Sequence, residues 1–293
     1  MLIDCHTHAL RSPSVTRAGG TTCPTAEQLV GRLDDLGIDM AVVLPMVSPE
    51  SRNRYSPPED IVEMAAEWPD RLIPFCNLDP RAGSNSPGTD FGRFLEVYTE
   101  MGCRGVGEVT GNLPFDHPKY WNMFRHIADY GLPMTIHIAS NPDVGYGIYD
   151  DPGLPRLEAT LREFPDLNIL GHSQAFWAEI SADVTDESRG GYPTGPVTPG
   201  RLVKLFERYD NLWGDLSAGS GHNAVSRDPA FGTQFMEQFQ DRLLFGTDIS
   251  FAEYEPPMPD YFRSLRGTIS DDAWEKIAWR NIDGLLGLGV VEG

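Results

Sequence analysis

Met40-Ala41-Val42-Val43-Leu44-Pro45, then the stretch Pro58 to Trp68, then Leu72-Ile73-Pro74-Phe75-Cys76 is the part of the chain that decides the fold. Two short runs rich in Val, Ile and Leu flank one longer amphipathic stretch. Runs of this length and composition suit strands buried on both faces, and the stretch between them suits a crossover helix. Pro58 opens that helix and Trp68-Pro69-Asp70 stops it, because proline restricts the residue before it to extended backbone.

The same unit recurs in both directions. The other apolar runs are Leu2 to His6, Gly105 to Val109, Met134 to Ile138, Leu167 to His172, Leu212 to Leu216 and Leu243 to Asp248. Helices are expected at Thr25 to Leu36, Phe91 to Met101, Pro118 to Tyr130, Leu154 to Phe164, Pro199 to Tyr209, Pro229 to Gln240 and Asp271 to Leu286. Thr25 with Gln28 has capping-box spacing, and Gly37 closes that helix. Eight strand–helix units predict a parallel α/β fold closed as a (β/α)₈ TIM barrel, a single domain over residues 1–293. The open doubly wound sheet is the alternative, weakened because no Gly-x-Gly-x-x-Gly follows the first run. Two long connections stand out as candidate lids: Ala9 to Pro24, and Ser173 to Thr198 with its Gly190 to Pro196 core.

Charge narrows the function. Net charge is −20 at neutral pH, which repels phosphate backbones and argues against nucleic acid. Cys5, Cys23, Cys76 and Cys103 form no Cys-x-x-Cys pair and are read as free thiols of a cytoplasmic protein. The opening residues do not read as a signal peptide, and no run is long and apolar enough to span a membrane. A small-molecule substrate and a homodimer are the expected partners.

His6 and His8 lie two apart on a strand, so both side chains take one face. His137 closes the fifth run, His172 the sixth and Asp248 the eighth. Four of the seven histidines thus stand at strand ends, which in a barrel ring a single opening. Nitrogen and carboxylate ligands suit zinc, with manganese or iron also compatible. The alternative, four satisfied structural histidines, requires the clustering to be accidental.

Ile3-Asp4-Cys5-His6-Thr7-His8, then His137, His172 and Gly246-Thr247-Asp248, resemble the signature of the amidohydrolase superfamily. The nearest branch is the amidohydrolase-2 group, which includes aminocarboxymuconate-semialdehyde decarboxylase. The resemblance spans nearly the whole chain. It implies a distorted (β/α)₈ barrel and a divalent metal, usually zinc. It also implies that Asp248 both binds the metal and handles a proton of the nucleophilic water. Where many two-metal members carry a carboxylated lysine, this chain reads Gly107-Glu108-Val109. One ion per chain, Zn²⁺ before Mn²⁺, held by His6, His8, His137 and Asp248, is therefore expected. Glu108 either joins that shell, or holds a ligand by hydrogen bond, or is structural.

His172 is expected as a general acid or base, or as a further ligand. Asp215 is read as orienting His172 or Asp248, or as a helix cap, and Asp4 as support beneath the histidines. Arg52 and Arg54 are candidate carboxylate binders. Trp177, with Phe176, is a candidate pocket wall. His222, in the Gly-rich stretch 218–223 read as a loop, is a candidate substrate contact. His117 and His126 are read as surface or packing residues. The expected activity is hydrolysis of a small amide, lactone or ester by metal-activated water, with non-oxidative decarboxylation of an unsaturated or aromatic acid as the alternative. A metal-bearing binding protein is a third reading, one that leaves the acid–base pair without a use.

Overall fold

The structure, a computed structural model, describes residues 1–12, 15–16, 20–142 and 145–290. Part of the long connection Ala9 to Pro24 lies outside the described residues. In chain order the elements are β1 (Ile3–Thr7), α1 (Ala26–Asp35), β2 (Met40–Val43), α2 (Pro58–Glu67), β3 (Leu72–Pro74), α3 (Gly92–Glu100), β4 (Val106–Val109), α4 (Pro118–Asp129), β5 (Met134–Ala139), β6 (Ile148–Tyr149), α5 (Pro155–Glu163) and β7 (Ile169–His172). There follow α6 (Gln174–Trp177), α7 (Asp186–Arg189), α8 (Arg201–Arg208), β8 (Leu212–Asp215), α9 (Ala218–Ser226), α10 (Pro229–Gln238), β9 (Leu243–Leu244), α11 (Met258–Ser264), α12 (Asp271–Glu275) and α13 (Asn281–Leu286). All eight expected strands are present. The two-residue β6, which pairs with β5, was not expected.

Every strand pairing is parallel. One sheet runs β1-β2-β3 and the other β4-β5-β7-β8-β9. Backbone hydrogen bonds join the two sheets at both seams. Beyond β3, Cys76 N–H donates to Gly105 O at 2.9 Å, and Gly107 N–H donates back to Cys76 O at 2.8 Å. Beyond β9, Phe245 O accepts from Cys5 N–H at 2.9 Å, His6 O from Asp248 N–H at 2.8 Å, and Ile249 O from His8 N–H at 2.9 Å. The eighth run thus continues along β1 as far as Ile249, although only Leu243–Leu244 forms a regular strand. β1, β5 and β7 are buried at every position, as the unbroken apolar runs required, because helices cover the outer face.

The helices follow their local signals. Thr25 caps α1 in a capping box with Gln28, and Pro58 and Pro118 sit in the first turns of α2 and α4. Two expectations are corrected. Pro199 does not open α8, which begins at Arg201; Pro199 instead bridges back to Ser181. The stretch 218–223 is not a loop but the start of α9. Its glycines lowered the helical reading, yet they serve close packing. A Cβ at Gly221 would stand 2.3 Å from Leu216 C, and one at Gly232 of α10 would stand 1.9 Å from Val225 O. Tertiary contact outweighs intrinsic propensity here.

A candidate metal centre and its cavity

The ends of β1, β4, β5, β7 and β8, with Asp248 beyond β9, converge on one buried polar cluster. His6 Nδ1 lies 2.6 Å from Asp215 Oδ2, and His8 Nδ1 lies 2.9 Å from Leu44 O. A carbonyl oxygen can only accept, so His8 carries its proton on Nδ1 and leaves Nε2 bare. A carboxylate partner imposes the same tautomer on His6. The two Nε2 atoms then face each other at 3.2 Å, lone pair against lone pair. Glu108 Oε2 lies 3.5 Å from His8 Nε2 and 4.0 Å from His6 Nε2. Asp248 Oδ1 lies 3.6 Å and 3.7 Å from the same nitrogens. Four electron-rich atoms pointed at one buried spot repel one another unless a cation or a proton sits among them. The donor set therefore fits a divalent metal.

Without a cation, the same crowd of acceptors is met by a proton on His6, which a bound metal would displace. Burial disfavours a charged His6, but its pairing with Asp215, helped by Asp248 and Glu108, outweighs burial and pushes the imidazole up to about 10. Burial and the His6 charge push His8 down to about 3, so it is neutral, the form that ligates metals. Burial drives Asp215 upward, yet the His6 and His172 imidazoles and the hydrogen bonds from His6 and Ser217 hold it well below the usual carboxylate range. Asp215 also accepts from Ser217 N–H at 2.9 Å and from the Cys5 thiol at 3.3 Å. It thus orients His6 first, and stands 3.5 Å from His172 Nδ1. Asp4 lies beneath, accepting from His6 N–H, Thr247 N–H and the Thr247 hydroxyl, the supporting role expected of it.

Asp248 takes a left-handed backbone conformation, φ 58°, uncommon for a residue with a side chain and frequent at functional sites. Its carboxylate is 22% exposed while His6, His8 and Glu108 are 2% or less, so it is the member of this group that opens to the cavity. Burial, reinforced by Glu108 and opposed by His6, pushes it up to about 6.

His137 and His172 stand to one side. His137 Nδ1 lies 2.7 Å from Glu108 Oε1, so Glu108 offers one oxygen to His137 and the other to the His6–His8 pair. His172 Nδ1 lies 3.0 Å from Ser217 Oγ, and its Nε2 lies 3.9 Å from both Glu108 Oε1 and Asp248 Oδ2. His6, His8 and Asp248 form one compact group, Glu108, His137 and His172 a neighbouring one, and His6, His172 and Asp215 a third that links them. Of the expected ligands, His137 is the one brought to Glu108 rather than directly to the His6–His8 pair.

A cavity of about 180 Å³ opens over the cluster, lined among others by Arg54, Tyr146, Gln174, Tyr192, Ser220 and Tyr254. Arg54 is buried and stacks on the Tyr146 ring at 4.7 Å. The cavity also takes in His137, His172 and Asp248. Other candidates lie elsewhere. Arg52 is exposed and stacks on Tyr55. Trp177 is buried in the core, with Nε1 donating to Asp215 O. His222 meets Tyr261 edge-on at 5.1 Å and is not among the residues that line the cavity. His117 caps α4 and His126 packs by Phe91, as expected. The sequence reading missed Tyr146, Tyr192, Ser220 and Tyr254. Local signals existed for three of them: the candidate lid core Gly190 to Pro196 contains Tyr192, the Gly-rich stretch 218–223 contains Ser220, and glycines flank Tyr146.

Parallel strands, a polar cluster at their carboxyl ends and a small cavity above it define a metal-dependent α/β enzyme class. The Amidohydro_2 family model, described as Amidohydrolase, matches residues 3–288. The chain belongs to this amidohydrolase family. No curated protein matches it significantly. Among solved structures it is similar to an uncharacterized TIM-barrel protein from Bordetella bronchiseptica, at 18% identity over 98% of each chain with a TM-score of 0.65. It is also similar to a probable 2-pyrone-4,6-dicarboxylic acid hydrolase from Acinetobacter baumannii, at 14% identity over 98% and 99% of the two chains with a TM-score of 0.61. A 2,6-dihydroxybenzoate decarboxylase from Rhizobium matches at 16% identity over 99% of each chain, with a TM-score of 0.60. At these identities the likeness concerns the fold.

Proposed function

We propose that the chain is a single-domain (β/α)₈ barrel enzyme that hydrolyses a small carboxylate-bearing lactone, ester or amide with one divalent ion, zinc before manganese. The observation that carries this reading is the convergence of His6 Nε2, His8 Nε2, Glu108 Oε2 and Asp248 Oδ1 within 4.0 Å contacts directly beneath a cavity that contains a buried arginine. His6, His8 and Asp248 would hold the ion, with Glu108 joining them or restraining His137. When bound, such an ion lowers the pKa of water and polarises a carbonyl.

The remaining work falls to the chain. Asp248, partly open to the cavity, accepts the proton of the attacking water. His172, with Nε2 beside Asp248 Oδ2, passes that proton to the leaving group. Ser217 and Asp215 hold the His172 ring at Nδ1. Arg54 pairs with the substrate carboxylate, and its stacking on Tyr146 keeps the guanidinium plane oriented. The His172–Asp248 pair supports a second reading. A proton delivered to a ring carbon as the carboxylate departs as carbon dioxide is non-oxidative decarboxylation, in which the ion would hold the substrate acid.

Metal-loaded protein offered a panel of lactones, esters, amides and aromatic acids separates the two. Hydrolysis predicts acid release from a neutral scissile group without carbon dioxide. Carbon dioxide from an aromatic acid moves the assignment to the second reading. Purified protein that binds no divalent ion on titration rules out both.

A further inference from the structure

The α9 helix enters the cavity at its N-terminus, and that end is unusual in three respects. It runs nine residues, Ala218–Ser226, and its N-cap, Ser217, makes no side-chain capping bond. The Ser217 hydroxyl is turned to His172 Nδ1 instead. Second, Ala218, Gly219 and Ser220 all line the cavity, so the positive end of the helix dipole faces the space a ligand would fill. Third, the Ser220 hydroxyl is buried, with the residue 3% exposed, and has no hydrogen-bond partner among the described residues. A buried hydroxyl left without a partner is destabilising, and a ligand that accepts from it removes that cost.

The neighbours of this turn fit the same purpose. Ala218 N–H is used by Thr247 O at 3.2 Å. Tyr192 packs against the turn so closely that a Cβ on Gly219 would stand 3.1 Å from its phenol oxygen. Gln174 Nε2 lies 3.4 Å from that oxygen. With Ala218 N–H engaged by Thr247 O and Gly219 N–H by the Tyr254 phenol, the turn offers the Ser220 hydroxyl under a tyrosine, in the same cavity as Asp248 and Arg54.

We propose that the first turn of α9, through the Ser220 hydroxyl, is a second anion subsite that holds a carboxylate of the substrate, so that the preferred substrate is a small dicarboxylate. One carboxylate meets Arg54, a part that rests on the function proposed above; the other meets Ser220. The subsite makes Ser220 a determinant of specificity and not of the chemical step.

Calorimetric titration of the metal-loaded protein with benzoate and with benzene-1,3-dicarboxylate tests this. The dicarboxylate is expected to bind about tenfold or more tightly than benzoate. Ser220→Ala should remove most of that advantage, leave benzoate affinity and metal content unchanged, and hold or raise the melting temperature, since it deletes the unpartnered hydroxyl. Arg54→Met should weaken both acids. Equal affinity of the two acids for the wild type, or undiminished dicarboxylate preference in Ser220→Ala, overturns the subsite. Retention of the Ser220-dependent preference in Arg54→Met, with benzoate unaffected, instead removes Arg54 from the proposed function while leaving the subsite standing.

Discussion

The floor and the wall of the cavity are built differently. On the floor, His6, His8, Glu108 and Asp215 are fully buried on strand ends, and each ring nitrogen of the His6–His8 pair that faces away from the centre has a fixed partner: Asp215 for His6 and Leu44 O for His8. On the wall, Arg54 comes from the turn Pro49–Arg54, Tyr146 from the loop before β6, Tyr192 from the connection after α7, and Tyr254 from the loop before α11. Rigid strands hold the groups whose geometry tolerates little error; loops carry the groups that choose the substrate. Changes to the floor should therefore alter metal content and turnover, and changes to the wall should alter affinity and substrate choice.

The largest effect is expected at the point where floor and wall meet. Asp248→Asn keeps the shape but removes the charge and most of the basicity, and turnover should fall about 10²–10⁴-fold. His172→Asn should also lower turnover with metal content near one ion per chain; loss of metal in that variant would place His172 among the ligands. Near-normal turnover in Asp248→Asn breaks the assignment of proton transfer to this pair in either chemistry.

Next comes the floor proper. His6→Ala and His8→Ala each delete a nitrogen from the group, and elemental analysis should find well under one ion per chain, while cooperative unfolding by circular dichroism persists. Full metal content in both variants would mean that the facing nitrogens are not ligands. A smaller loss is expected for Asp215→Asn, which keeps a carbonyl acceptor for His6 Nδ1 but removes the charge. Metal affinity should drop about 10–100-fold, as for other partners of ligating histidines. Competition with a chelator of known affinity measures it, and an unchanged constant would make Asp215 a purely structural acid.

The smallest effect is expected on the wall. Residues 182–198 form a loop pinned at its root, where Ala182 N–H donates to Thr198 O at 2.8 Å and Arg189 pairs with Glu179 at 2.9 Å, both side chains buried. The loop carries Tyr192 to the cavity. Shortening Gly190 to Pro196 should change KM or kcat severalfold and leave metal content alone. Unchanged kinetics on a true substrate would make the segment a passive connection, and lost metal would blur the division between floor and wall.

Much of the floor was legible locally. Two-residue spacing put His6 and His8 on one face, and the apolar runs placed His137, His172 and Asp248 at strand ends, because side-chain alternation and burial are local properties of a strand. Glu108 was visible as a strand-end acid, yet its split between His137 and the His6–His8 pair was not, since that depends on rings contributed by β1 and β5. Asp215 was read against His172 or Asp248; its short bond goes to His6, 209 residues away.

What the chain determined by itself was the order of strands and helices and the set of polar residues at the strand ends. These follow from periodicity, capping and proline, all set by neighbours a few positions apart. Tertiary structure alone decided which nitrogen faces which oxygen, that Arg54 and not Arg52 enters the cavity, that Trp177 joins the core, and that residues 218–223 coil into a helix whose open end faces the site. These outcomes turn on side-chain direction and close packing, with side-chain partners 29 to 209 residues apart and close contacts within the α9–α10 turn, for which no local pattern carries a signal.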